Sequence, residues 1–175
     1  MQTSLHLVSA TPADVPELLT LVNRAYRGEA GAVAGWTNEA HLLEGPRTSA
    51  AALTELLTQP AAAILACRMG TNGPLVGSVY VQVQAPKLYL GMLAVTPEHQ
   101  ALGIGKFLLQ AAEHHATQHA CRSVVMTVLS ARPELLAWYQ RRGYLPTGVI
   151  QPFPTGPDHG TPKQELSLVE LEKTL

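Results

Sequence analysis

The chain has 175 residues, a length that suits one domain spanning 1–175 and leaves no room for two full ones. Its 46% hydrophobic and 14% charged content excludes intrinsic disorder. Twelve Lys and Arg against 13 Asp and Glu give a net charge of −1, so no global basic field exists to hold nucleic acid or anionic lipid.

No apolar run reaches the roughly 20 residues of a membrane span, and the N-terminus lacks a charged start and an apolar core. Two cysteines, Cys67 and Cys121, are too few for a disulfide scaffold and read as inert core thiols. The expectation is a cytoplasmic protein with no membrane or nucleic-acid partner.

Residues 5–8 alternate apolar and polar, as a short strand does. Thr11-Pro12-Ala13-Asp14 starts a helix, and Leu18, Leu19, Val22 and Tyr26 give it an apolar stripe. Residues 28–35, GEAGAVAG, read as a loop. Over 36–47, Glu39, Leu42 and Leu43 suit one helical turn that Gly45-Pro46 ends. Residues 50–57 form a helix stopped by Pro60. An apolar run over 61–67 and an alternating run over 75–83 flank Gly70-Thr71-Asn72-Gly73-Pro74, which predicts a β-hairpin.

Residues 87–95 form a third apolar strand. A helix over 103–119 carries Ile104, Phe107, Leu108, Ala111 and Ala112 on one face, and 124–129 is a buried strand by its β-branched content. The helix at 133–142 opens on Pro133 and stops at Gly143. Strands at 145–150 and 165–171 are separated by PFPTGPDHGTP, too rich in Pro and Gly to be regular. Strand–helix–strand from 87 to 129 demands a parallel crossover, while the earlier strands are close enough for hairpins. A mixed sheet with helices on its faces follows.

The most informative stretch runs from Tyr89 to Lys106. Gly103 and Gly105 stand where a strand has ended and a helix begins, so a ligand can approach free backbone N–H groups. Leu108 replaces the third glycine of the dinucleotide fingerprint, and the Gly-Lys-Ser/Thr ending of a nucleotide P-loop is absent. Taken alone, the glycines fit a tight strand-to-helix turn as well as a phosphate cradle.

Gln100-Ala101-Leu102-Gly103-Ile104-Gly105 resembles the Gln/Arg-x-x-Gly-x-Gly/Ala signature of the GCN5-related N-acetyltransferase (GNAT) superfamily. Tyr139, four residues before Gly143-Tyr144, is similar to the second signature of that family. The element order is similar too, so the resemblance covers nearly the whole chain. It implies an α/β fold: a mixed, mostly antiparallel sheet of six to seven strands, helices on both faces and a splayed central parallel pair. The implied activity is transfer of the acetyl group of acetyl-CoA, the co-substrate, to a primary amine by direct attack in a ternary complex. A small-molecule or peptide amine is the implied acceptor, and a non-catalytic acyl-CoA sensor is the alternative.

The resemblance also places residues. Leu93, Ala94 and Val95 would pair with the pantetheine arm, while Gln100, Ala101, Leu102, Gly103, Ile104, Gly105 and Lys106 would wrap the diphosphate. Tyr139 would protonate the departing thiolate; on its sequence alone it reads rather as a core aromatic beside Leu135 and Trp138. Many family members carry Asn seven residues before that Tyr, and here the position is Arg132. Its guanidinium could meet phosphate or substrate, cap a helix, or lie in solvent.

No general base identifies itself: Glu98 and His99 adjoin the loop, and Glu29, Glu39 and His41 lie on the acceptor side. Tyr26, Trp36, Glu39 and Arg47 suggest a pocket for an acceptor bearing a carboxylate as well as an amine, or a loop that Trp36 pins to the core. His115 and His119 have a chelating spacing, but without H-E-x-x-H or a third ligand no metal is assigned. A homodimer paired through the final strand is left open.

Overall fold

A computed structural model describes residues 4–28 and 36–175. In chain order its elements are β1 (Leu5–Ser9), α1 (Val15–Arg27), β2 (Leu43–Glu44), α2 (Ala50–Thr58), β3 (Ala62–Met69), β4 (Leu75–Gln84) and β5 (Lys87–Val95). There follow α3 (Ile104–Gln118), β6 (Ser123–Leu129), α4 (Pro133–Gln140), β7 (Leu145–Pro152), β8 (Thr161–Pro162) and β9 (Ser167–Thr174). Short 3-10 turns at Pro12–Asp14 and Pro97–Leu102 precede α1 and α3. All the long elements expected from the sequence are present. The loop at 28–35, Gly28 apart, lies outside the described residues.

Seven strands form one sheet in the order β1-β3-β4-β5-β6-β9-β7. Only β5 and β6 run parallel, joined by the α3 crossover; the other neighbours are antiparallel. This is the mixed, mostly antiparallel α/β sheet with a central parallel pair. The final strand is no free edge, because β6 and β7 occupy both its sides. The expectation of pairing between subunits through it is therefore corrected, and the outer edge belongs to β7.

Helices cover both faces for reasons written in their spacing. Asp14 accepts the Thr11 N–H at 2.8 Å, closing the turn that leads into α1. Leu18, Leu21, Val22 and Ala25 then form a buried stripe against Ile64, Ala66, Tyr80 and Ala94. On the opposite face, Ile104, Leu108, Leu109, Ala112 and Ala116 of α3 pack on Val79, Val81, Leu93 and Val95. Each such fully buried Leu or Val contributes about 1.5–3 kcal/mol. Gly77 lets α3 come this close, since a Cβ there would stand 2.8 Å from Leu108 and 2.9 Å from Ile104. Cys67 and Cys121 are free and buried, and burial pushes the Cys67 thiol up to about 11.

Two short pieces depart from expectation. Leu42 and Leu43 N–H groups do donate to the Glu39 carbonyl, at 2.9 and 3.0 Å, making the expected single turn. The chain then enters β2, which pairs with β8 inside the stretch read as irregular. This ribbon ties the segment before α2 to the loop between β7 and β9.

Candidate active site

β5 and β6 are bonded only at their beginnings: Lys87 with Ser123, Leu88 with Val124 and Tyr89 with Val125. Both strands continue, to Val95 and Leu129, without pairing further. A local cause lies on β5, where Met92 and Leu93 together oppose Val79 of β4 and Met92 has a φ of 51°. Two residues against one bend the strand and raise its twist. Positive φ at a non-glycine residue is strained. The sheet opens as a V, and the backbone of Leu93, Ala94 and Val95 has no strand partner on the β6 side.

A cavity of about 180 Å³ occupies this opening. Gly91, Met92 and Leu93 bound it from β5, Thr127, Val128 and Leu129 from β6, and Tyr26, Glu39, Arg47 and Tyr139 from outside the sheet. Tyr139 is 5% exposed on α4, its ring edge-on to Trp138 and Tyr144. Its hydroxyl has no hydrogen-bond partner among the described residues. Burial raises its pKa well above the ordinary phenol value, with the Tyr26 and Glu39 charges adding to the rise. The group stays protonated at all working pH values, so it is a donor.

At the open end of β5 the 3-10 turn Pro97–Leu102 leads to Gly103, whose φ of 75° reverses the chain into α3. The first α3 donor with a backbone partner inside the helix is Phe107 N–H, to Gly103 O at 3.0 Å. The N–H groups of Ile104, Gly105 and Lys106 precede it at the helix end, where the dipole favours an anion. Nothing lies within 4 Å of a Cβ placed on Gly103, so the approach is open. The donor set fits a diphosphate.

Residues 20–144 match the sequence model of the acetyltransferase (GNAT) family. The chain belongs to the GNAT family. No curated protein matches the sequence. Among solved structures, the ribosomal-protein-S18-alanine N-acetyltransferase of Escherichia coli is similar with a TM-score of 0.72 at 14% identity, covering 98% of this chain and 94% of that one. An N-acetyltransferase of Staphylococcus aureus Mu50 gives 0.72 at 14%, with 98% and 97% covered. The PaiA N-acetyltransferase of Thermoplasma acidophilum, in complex with coenzyme A, gives 0.67 at 17%, with 98% and 99% covered. At these identities the likeness is one of fold.

Within this GNAT fold the structure brings Tyr26, Glu39, Arg47 and Tyr139 to one cavity, and sets Trp36 elsewhere. The Tyr26 hydroxyl donates to Leu93 O at 2.8 Å, and Arg47 lies over the Tyr26 ring at 5.1 Å. Glu39 is 7% exposed. Burial pushes its carboxyl above the usual carboxylate range, against the pull of Arg47, Arg27 and Arg132. Its contacts to those last two are long, 3.5 Å to Arg27 and 3.9 Å to Arg132. Trp36 instead stacks on Trp138 at 4.9 Å and lies 3.2 Å from a Cβ placed on Gly105. It pins its own segment to α4 and the head of α3.

Gln100 has a similar double attachment. Its side chain accepts the Trp36 N–H at 2.7 Å and donates to Val95 O at 3.1 Å. Arg132 stands at the N-cap of α4, its carbonyl accepting from the Leu135 and Leu136 N–H groups, and its guanidinium does not lie in solvent. It is 3% exposed and donates to the carbonyls of Trp36 and Asn38 while pairing with Glu134.

Of the other base candidates, Glu98 pairs with Arg24, His99 meets Thr96 Oγ1 at 2.7 Å, and His41 is exposed. Glu29 lies outside the described residues. His159 was missed by sequence reasoning, whereas Arg27 belongs with Tyr26, Trp36 and Arg47 to the aromatic and arginine-bearing segment read as a pocket. Arg27 donates to the carbonyls of Gly45 and His159 as well as to Glu39, and His159 enters the cavity wall from the irregular loop.

Proposed function

We propose that this GNAT protein acetylates a small primary amine that also carries a carboxylate, with acetyl-CoA as donor in a ternary complex. The observation that carries the reading is one cavity holding an unpartnered phenol, a buried carboxylate and an arginine where β5 has no strand partner on its β6 side. Leu93, Ala94 and Val95 hold the pantetheine arm, and a backbone N–H near Val95 polarises the thioester carbonyl. Gln100, Ala101, Leu102, Gly103, Ile104, Gly105 and Lys106 form the diphosphate loop.

Glu39 takes the proton that the ammonium must lose, its raised pKa making it a better base than an ordinary carboxylate. The amine nitrogen attacks the carbonyl carbon, the carbon–sulfur bond breaks, Tyr139 gives its proton to the sulfur, and the surplus proton on the nitrogen returns the phenolate to phenol. Burial that raises Tyr139 makes this transfer harder. The leaving thiolate sits in the same desolvated cavity, and its own affinity for a proton rises for the same reason.

Arg47 points to the acceptor class. It lines the cavity, rests on Tyr26, and has no acidic partner within ion-pair distance among the described residues. A carboxylate on the acceptor would supply that partner. Thiol release from acetyl-CoA, measured against amino acids and against the same amines lacking the carboxylate, tests the reading. Amine-dependent release is expected, with kcat/KM at least about tenfold higher for the carboxylated partner of each pair. Equal rates for both remove the carboxylate from the reading. Acetyl-CoA binding with no amine-dependent release leaves a sensor in place of an enzyme.

A further inference from the structure

A groove of about 430 Å³ runs between α2 and the β4–β5 face and adjoins the cavity between β5 and β6. The two share Arg47, Tyr89, Gly91, Met92 and His159 as a common wall. Glycine at 91 leaves room there for Tyr89, since a Cβ would stand 3.0 Å from that ring. The cavity itself holds only about 180 Å³, and the reacting end of a thioester must enter it too. Whatever an acceptor carries beyond its amine and its carboxylate therefore extends into the groove.

The groove suits one kind of group. Tyr80 on β4 lines it and is 5% exposed, and its hydroxyl has no hydrogen-bond partner among the described residues. A phenol buried this deeply usually finds one. Burial, with Tyr89 beside it, raises the pKa of Tyr80, so the group stays neutral and offers an oxygen lone pair. Glu55 of α2 and Asp158 line the groove as well, and neither carboxylate has a cationic partner among the described residues. Asp158 is held in place: the hydroxyl of Ser49, the N-cap of α2, donates to it at 3.2 Å. The adjoining His159 carbonyl accepts from Arg27 at 3.3 Å. Arg47 is the one Lys or Arg among the described lining residues. A carboxylate bound to Arg47 cancels that charge and leaves the groove acidic.

We propose that the groove receives a cationic side chain, which makes the acceptor an amino acid with a cation at its far end. The inference rests on the proposed acetylation of a carboxylated amine. The α-amine enters the cavity, the carboxylate stays on Arg47 at the shared wall, and the side chain passes Tyr89 toward Glu55, Asp158 and the Tyr80 oxygen. A guanidinium, with its planar fork of N–H donors, matches these acceptors.

The test compares thiol release from acetyl-CoA with L-arginine and with L-citrulline, which puts a neutral ureido group where the guanidinium stands. The native protein should show a kcat/KM about fivefold or more higher for L-arginine, carried mostly by KM. Exposed ion pairs are weak singly, and here two act together with one buried acceptor. The preference should shrink in Glu55→Gln and in Asp158→Asn, and vanish in the double variant. Both side chains are exposed, so these variants keep the fold. Tyr80→Phe keeps the ring and should lower the preference too. Equal rates with the two amino acids, or release only with amino acids other than these, would overturn the groove assignment and leave the carboxylated-amine reading standing. A preference that the double variant does not move also overturns the assignment. Release with no amino acid at all overturns both readings.

Discussion

Tyr139 is the residue at which packing and the proposed chemistry are hardest to separate, because the proposed mechanism assigns it both. Its ring touches Trp138 and Tyr144 edge-on, while its hydroxyl is left without a hydrogen bond. Tyr139→Phe keeps the ring contacts and removes the one proton. General acid catalysis is worth about 10²–10⁴-fold, so kcat should fall by that order with coenzyme A affinity nearly retained. Single-turnover measurement reads the chemical step directly. An unaffected chemical step there makes Tyr139 a packing aromatic and gives the thiolate its proton from water.

Arg132 makes the opposite case at the same scale. A buried cation is costly unless its donors are met, and here two carbonyls and two carboxylates surround it. It shapes one wall of the cavity by holding the backbone that carries Glu39.

Among the elements, the turn into α3 decides whether the diphosphate reading holds. Gly105 is a poor place to test it, since any side chain there displaces Trp36 as well as the ligand. Gly103 is cleaner: space around it is open, and the cost of a side chain is the left-handed φ alone, roughly 1–2 kcal/mol. Gly103→Glu should stay folded and lose the rise in Tm that coenzyme A gives the native protein. An unchanged rise removes the loop from the binding site.

The long elements were legible in the sequence because periodicity and punctuation act locally. The stripe Leu18, Val22 and Tyr26 and the stop at Gly143 are examples. Glycines at 103 and 105 were legible for the same reason. The β2–β8 ribbon was not, because two residues carry no period and their pairing spans over a hundred positions of chain. The carbonyl-holding role of Arg132 and the placement of Trp36 against Trp138 were equally hidden. Both follow from where α4 packs, a tertiary fact without a local signature.

For the molecule as a whole, β9 joins two parts of the sheet. It pairs with β6 from Ser123–Thr174 through Leu129–Leu168, and with β7 on its other side. Leu171 sits at this junction, fully buried and opposite Met126 and Pro146. Leu171→Ala should cost about 2–5 kcal/mol, read as a fall in the urea midpoint without a change in slope. A loss below 1 kcal/mol would mean that the β6–β9–β7 junction contributes little to stability. The outer edge, β7, carries exposed Leu145, Val149 and Ile150. It also carries Pro146, Pro152 and an irregularity at Gly148, features that discourage pairing with a passing strand.

The insertion of β9 between β6 and β7 also sets a schedule for the nascent chain. β7 leaves the ribosome before β9 and has no other neighbour in the sheet. It must wait as an unpaired ribbon, and β6 waits with it for its longer pairing, while β1, β3, β4 and β5 already have their partners. Assembly of this half of the sheet is thus bound to the clock of translation. A pause between β7 and β9 would lengthen the interval in which the chain is most exposed to aggregation and to chaperones.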